Sequence, residues 1–257
     1  MAFIRIAGDR LEFVRLISAN ARADAPPIVF LHEGLGSVSL WRDVPQLVAD
    51  ATGCEAIVYS RYGYGLSDPI TAPRSVRYMH DEALVALPEL LDALGIGRPV
   101  LFGHSDGGSI ALIHAGGSGR PVAGVVVLAP HVMVEDVAVA SIAAAKAAYE
   151  TSDLKERLAK RHADVESAFR GWNDIWLHPD FRHWNIEEYL PGIACPILAI
   201  QGEQDEYGTM EQIDRIARVA ARVATLKLGD CGHSAHRDQP QAVIAAVAGF
   251  VAALSAR

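Results

Sequence analysis

Ser105 lies in 101-LFGHSDGGSIAL-112, a polar knot between two apolar runs, with Gly103 and Gly107 two residues to either side. A strand that turns sharply into a helix crowds the residues beside the turn, so small ones are needed there. Such a turn lifts the serine hydroxyl above a sheet and aims the unpaired N–H groups of the helix start at the same point. That suits a nucleophile whose attack on a carbonyl creates an oxyanion. A serine hydroxyl needs a base to take its proton, and the base needs an acid to orient it. Both types follow later apolar runs: Asp205 comes after 196-PILAIQG-202 and His233 after 224-ATLKLG-229. Glu203 and Glu206 compete for the acid role, and spacing after the run favours Asp205.

These residues need a scaffold that brings distant loops together. Residues 3–7 and 11–17 nearly alternate around Gly8-Asp9, which predicts an antiparallel hairpin. The short apolar runs 27–32, 55–60, 98–103, 122–130, 196–202 and 224–229 predict strands, several of them buried on both faces. Between them, helices are predicted over 39–50, 77–94, 106–116, 209–222 and 239–255. Alternating strands and helices imply one mostly parallel sheet with helices on both faces. Residues 131–190 interrupt that alternation with Ala-rich and charged helical tracts and hold Trp172, Trp176 and Trp184. They are expected to form a helical lid inserted into a core made of 1–130 and 191–257. In such sheets chemistry sits at the carboxyl ends of the strands.

Composition narrows the classes. The chain has 257 residues, 51% hydrophobic and 21% charged, which is enough apolar mass for one large core. A net charge of -8 argues against nucleic-acid binding, which calls for a basic patch. Three scattered cysteines make neither a disulfide framework nor a metal site. The first residues lack a signal-peptide pattern, and no uncharged apolar run is long enough for a membrane span. The expected location is the cytoplasm.

Taken together, 29-VFLHEGLGS-37, 59-YSRYGYGLSDP-69, 103-GHSDGG-108, 199-AIQGEQD-205 and 230-DCGHSAHRDQP-240 resemble the α/β-hydrolase superfamily, in order and over nearly the whole chain. The resemblance implies an eight-stranded, mostly parallel sheet with the N-terminal hairpin. It implies Ser105 as nucleophile, Asp205 as acid and His233 as base, in the family's chain order, with no metal or organic cofactor. It implies an oxyanion hole from the backbone N–H groups of Asp106 and Gly34. One departure stands out: Glu33 follows His32 where the family has glycine. A shift of register by one would move the oxyanion role from Gly34 to Leu35.

Around this constellation the pocket candidates are Glu33, His104, His131, Met133 and Trp172. For Glu33 an ion pair with Arg61 is the preferred reading, since a bare carboxylate would oppose the developing oxyanion. His104 is expected to pack under neighbouring loops more than to line a pocket. Asp106 either caps its helix or meets a substrate amine. His236, three residues after His233, is expected at the surface or at a helix cap rather than on a metal. Trp172 and Trp176, one helical turn apart, either pack the lid on the sheet or wall an apolar acyl pocket. The expected reaction is hydrolysis of a carboxylic ester of a small molecule. Carbon–carbon, thioester or lactone cleavage on the same residues is the alternative, with Arg61 and Arg74 as candidates for a substrate carboxylate. A ligand-binding protein on a hydrolase scaffold is the rival from another class. An apolar lid face would also serve a homodimer, which the sequence leaves open.

Overall fold

The strands that carry the site are short apolar runs buried on both faces. The computed structural model describes residues 2–6 and 8–255. Among these, the strands are β1 (Ala2–Ile6), β2 (Asp9–Leu16), β3 (Ile28–Leu31), β4 (Ala56–Tyr59), β5 (Val100–His104), β6 (Gly124–Leu128), β7 (Ile197–Gly202) and β8 (Val223–Leu228). They form one sheet in the order β1-β2-β4-β3-β5-β6-β7-β8. The β1–β2 and β2–β4 pairs are antiparallel, and all later neighbours are parallel. This is the expected α/β-hydrolase architecture. Ala7, at the end of the expected first strand, lies outside the described residues.

The period of two along a strand sends alternate residues to opposite faces. Val29, Leu31, Leu101, Val125 and Val127 enter one core, and Ile28, Phe30, Val100, Phe102, Val126 and Leu128 the other. Among the described residues the α-helices are, in chain order, α1 (Val44–Thr52), α2 (Tyr78–Asp81), α3 (Leu87–Leu94), α4 (Asp106–Gly117), α5 (Asp136–Thr151), α6 (Leu154–Ala159), α7 (Val165–Trp176), α8 (Glu211–Val219), α9 (Ala235–Asp238) and α10 (Pro240–Ser255). Helices α1 and α10 cover the second core through Val44, Val48, Val243, Val247 and Val251. Helices α3, α4 and α8 cover the first, together with the aromatic residues of the segment between β6 and β7. That segment contains α5, α6 and α7.

One expected helix is broken and another runs on through a widened turn, each near a proline. Over 39–50 the structure has a 3-10 turn at Val38–Trp41, then Arg42 at φ 55, and only then α1 with Pro45 near its start. Proline has no N–H to give, so it is tolerated only in the first turn, where α1 starts afresh. Over 77–94, Pro88 near the start of α3 follows a π-helical turn at Glu82–Ala86. A proline ring clashes with the carbonyl four residues back, and a widened turn relieves that clash.

Strand order places the site. β3 lies between β4 and β5, so the chain's direction of travel across the sheet reverses there. Leu31 pairs in register with Gly103. The loops after β3 and β5 therefore leave the sheet side by side. They touch through backbone: a methyl on Gly107 would stand 2.0 Å from the Leu31 carbonyl oxygen, and one on Gly103 2.2 Å from the Gly107 carbonyl oxygen. Neither obstacle is a flexible side chain. Gly107→Ala is expected to cost about 1–3 kcal/mol, read as a lower urea midpoint with an unchanged slope.

Candidate active site

Ser105 is the junction between β5 and α4, at φ 52 and ψ -120. Positive φ is costly for a residue with a side chain and persists only where surroundings enforce it. Here the Ser105 amide donates to Leu128 O (2.9 Å), and its carbonyl accepts from the amides of Gly108 (2.8 Å) and Ser109 (3.1 Å). Ala129 (φ 44) and Asp230 (φ 49) carry similar strain just after β6 and β8. The strained residues thus gather at one end of the sheet.

Asp205 follows β7 and His233 follows β8. Their loops meet because Gly202 lets the chain pass close: a methyl there would lie 2.1 Å from Cys231 O. His233 Nδ1–H donates to Asp205 Oδ1 at 2.8 Å. The same oxygen accepts the amides of Tyr207 (2.8 Å) and Gly208 (3.3 Å), and Oδ2 accepts from Gln201 Nε2 (3.1 Å). Burial alone would raise the Asp205 carboxyl, but the hydrogen bond and charge of His233, with the Tyr207 amide, lower it. With its Nδ1 proton committed, His233 offers Nε2 as the basic nitrogen. Among the described residues no hydrogen bond yet joins the Ser105 hydroxyl to that ring. Glu203 stays exposed, and the Glu206 carboxylate takes the His233 amide (3.2 Å) rather than its ring.

The two amides expected to form an oxyanion hole, those of Asp106 and Gly34, donate to no acceptor among the described residues. Asp106 opens α4, where N–H groups have no partner within the helix. Leu35, the alternative to Gly34, has its carbonyl tied to His162 Nε2 (3.1 Å).

The Asp106 side chain neither caps the helix nor meets solvent. It is fully buried and accepts from Tyr78 Oη–H (2.6 Å) and Trp176 Nε1–H (3.2 Å), with Arg61 Nη2 at 3.7 Å. Burial, and then Asp106 itself, raise the Tyr78 phenol well above its usual value, so it stays a donor. Tyr78 is a site neighbour that the sequence did not single out, and Trp176, expected to pack the lid or wall a pocket, instead reaches Asp106. Their types are common in cores, and only the fold places them on the residue after Ser105.

Glu33 corrects its expected partner. Its carboxylate faces His104 Nδ1 (3.6 Å) and Arg237 Nη2 (3.4 Å), not Arg61. Arg61 instead donates to the Glu33 carbonyl (2.9 Å). Burial pushes the Glu33 carboxyl up, but His104, Arg237 and His32 outweigh it and hold it well below the usual range. His104 is 1% exposed and donates from Nε2 to the His233 carbonyl at 3.0 Å, so it holds the His233 loop from beneath rather than walling a pocket. His236, expected at the surface or a cap, is buried against Trp41 and His104, and burial lowers it to about 2. His131 lies with its ring 6.0 Å from that of His233 and 4.9 Å from Trp176; burial, then His233, lowers it to about 3 and keeps it neutral. Met133 is held through its backbone, by Gln212 and a bridge to Asn185. Trp172 covers Gly34 so closely that a methyl there would be 2.1 Å from Nε1.

Two grooves of about 590 and 530 Å³ open elsewhere, sharing residues 70–74; neither is lined by Ser105, Asp205 or His233. Ser105 is 7% exposed.

The geometry invites comparison with known proteins. The Alpha/beta hydrolase family profile matches residues 28–246. The chain belongs to that family. A curated relative, the sn-1-specific diacylglycerol lipase ABHD11 of Danio rerio, is 32% identical over 96 residues, or 37% of this chain and 29% of the relative. The chain thus matches less than a third of that relative's length. Among solved structures, the proline iminopeptidase of Mycobacterium smegmatis superposes with TM-score 0.81 at 18% identity, covering 98% of both chains. The enol-lactonase of Burkholderia xenovorans LB400 gives 0.77 at 20%, covering 98% and 100%. A carboxylesterase of the thaumarchaeon Nitrososphaera gargenis gives 0.78 at 18%, covering 99% of each. At these identities the superpositions speak for the fold alone. No helix among the described residues is long and apolar enough to cross a membrane.

The lowered Glu33 carboxyl has a sign that can be checked. Its contribution to stability is complete above the ordinary value near 4.5 and is lost as pH falls through the folded value. Glu33→Gln is therefore expected to lower unfolding free energy by about 1 kcal/mol near neutrality. The gap to wild type should begin to narrow as pH falls below the ordinary value near 4.5 and close only below the folded value, in urea melts run across pH.

Proposed function

We propose that the protein is a serine hydrolase that cleaves carboxylic esters of small to medium, partly apolar substrates through an acyl-enzyme. The observation that carries this reading is the 2.8 Å Asp205–His233 hydrogen bond beside a serine held at positive φ where β5 turns into α4. In the proposed cycle, Ser105 Oγ attacks the ester carbonyl carbon as His233 Nε2 takes its proton. The carbonyl oxygen becomes an oxyanion facing the Asp106 and Gly34 amides. His233 then protonates the leaving alcohol, and in the second half activates water against the acyl-enzyme. Asp205 keeps His233 in the tautomer whose Nε2 is basic. The segment over Ser105 acts as a lid that keeps water out and supplies apolar contact.

Other features favour ester over carbon–carbon chemistry. A dienol-ketone acid needs a free pocket cation. Arg61 is fully buried with Asp106, and Arg74 pairs with Glu82 (3.7 Å) and donates to Tyr62 O (2.8 Å). The enol-lactonase and carboxylesterase among the structural relatives act on cyclic and open esters by name, and a lactone belongs in the same substrate panel.

The test is hydrolysis of p-nitrophenyl esters from acetate to decanoate, with fluorophosphonate labelling of the serine. Ser105→Ala is expected to lose label and about 10⁴–10⁶-fold in kcat. Asp205→Asn should keep the label site and lose about 10⁴-fold. Wild-type protein that neither labels nor turns over any ester or lactone would refute the reading.

A further inference from the structure

Asp106 is the first residue of α4, and its own amide has no partner among the described residues. A carboxylate in the first turn of a helix is drawn to the free amides there, by the helix dipole and by short bonds from side chain to backbone. In this helix it goes elsewhere. Oδ2 takes the Tyr78 hydroxyl at 2.6 Å, and Oδ1 takes the Trp176 indole N–H at 3.2 Å. The same indole N–H reaches Tyr78 Oη at 3.0 Å, which closes a triangle of side chains from α4, α2 and α7. Arg61 Nη2, from the loop after β4, lies 3.7 Å from Oδ2. Neither oxygen accepts an amide of α4.

The triangle is held from outside. Asp106, Tyr78 and Trp176 are all buried. Phe181 meets the Trp176 ring at 4.9 Å and the Tyr78 ring at 6.1 Å, and the Arg74 guanidinium stands 5.0 Å over the Tyr78 ring. With its phenol raised by burial and by Asp106, Tyr78 stays a donor. Without these two donors the carboxylate would be free to turn toward the start of α4. It would then occupy the Asp106 amide, and its charge would sit where attack on a carbonyl creates another negative charge.

We propose that Tyr78 and Trp176 are positioning residues that hold the Asp106 carboxylate away from the start of α4 and so keep the Asp106 amide free for the oxyanion. The inference rests on the ester-hydrolase reading above and deepens it. Neither residue touches the substrate; both act through Asp106. Trp176 is the last residue of α7, so the amide is kept free only while that helix is seated.

The experiment removes one donor at a time. Tyr78→Phe loses a single oxygen. Replacing Trp176 by 3-benzothienylalanine keeps the bicycle and exchanges N–H for sulfur. Both are assayed with p-nitrophenyl acetate and for the rate of fluorophosphonate inactivation, whose phosphoryl oxygen mimics the oxyanion. The expected result for each is a fall of about 10-fold in kcat with little change in KM, and a parallel fall in inactivation rate. Tyr78→Phe is then repeated on Asp106→Asn, whose neutral side chain has less pull toward the helix start. There its cost is expected to shrink to about 3-fold or less. Asp106→Ser serves the same comparison if Asp106→Asn folds poorly, and the thienyl variant stands in for Tyr78→Phe on the same ground. An equal loss in both backgrounds would overturn the inference, since the phenol would then act through packing and not through the carboxylate. Wild-type kcat in both single variants, or a change in KM alone, would also overturn it and leave the nucleophile reading standing. Failure of wild type to label or turn over would overturn the ester-hydrolase reading and this inference with it.

Discussion

The site depends on one close approach of backbone to backbone. Where β5 ends, the chain must reverse into α4 while α4 itself presses against the end of β3. There is room only because Gly103 and Gly107 have no side chains: a methyl at either would lie about 2 Å from a carbonyl oxygen. That contact forces Ser105 to φ 52 and starts a helix whose first amide is unpaired. A nucleophile on a regular strand or helix would have neither the exposure nor the donor beside it. Everything else in the arrangement is placed relative to that turn.

The second requirement is electrostatic. Two carboxylates, Asp106 and Glu33, stand beside the amides that would bind an oxyanion. Uncompensated, they would raise the energy of the charge that attack creates. Each is answered locally. Tyr78, Trp176 and Arg61 surround Asp106, and His104 and Arg237 face Glu33. The partners also do mechanical work. Arg61 holds the Glu33 carbonyl, and His104 holds the His233 carbonyl, so neutralising the carboxylates also fixes the loops that carry Gly34 and His233.

The segment between β6 and β7 is tied into the same network rather than laid over it. Trp176 reaches the residue after Ser105, His162 reaches the loop after β3, and Trp172 rests on Gly34. Its position and that of the loop after β3 are therefore linked.

By itself, the sequence determined the sheet, the strand-end loops and the three residues Ser105, Asp205 and His233, because those signals are local. Apolar runs buried on both faces, glycines two residues either side of a serine, and an acid and a histidine just past later runs are all written in short stretches. It also held the helix start at Pro45 and the widened turn before Pro88, although a periodic apolar pattern hides them. The partner of Glu33, the burial of His236, and the roles of Tyr78 and Trp176 were decided only by tertiary structure. Arg61 and Arg237 are equally good cations for Glu33 on paper. Which one reaches the carboxylate depends on how α9 packs against the loop after β3. A tyrosine or tryptophan reads as core until the fold sets its one polar atom against Asp106. Pairings between residues far apart in the chain are set by packing geometry, and no local pattern encodes them.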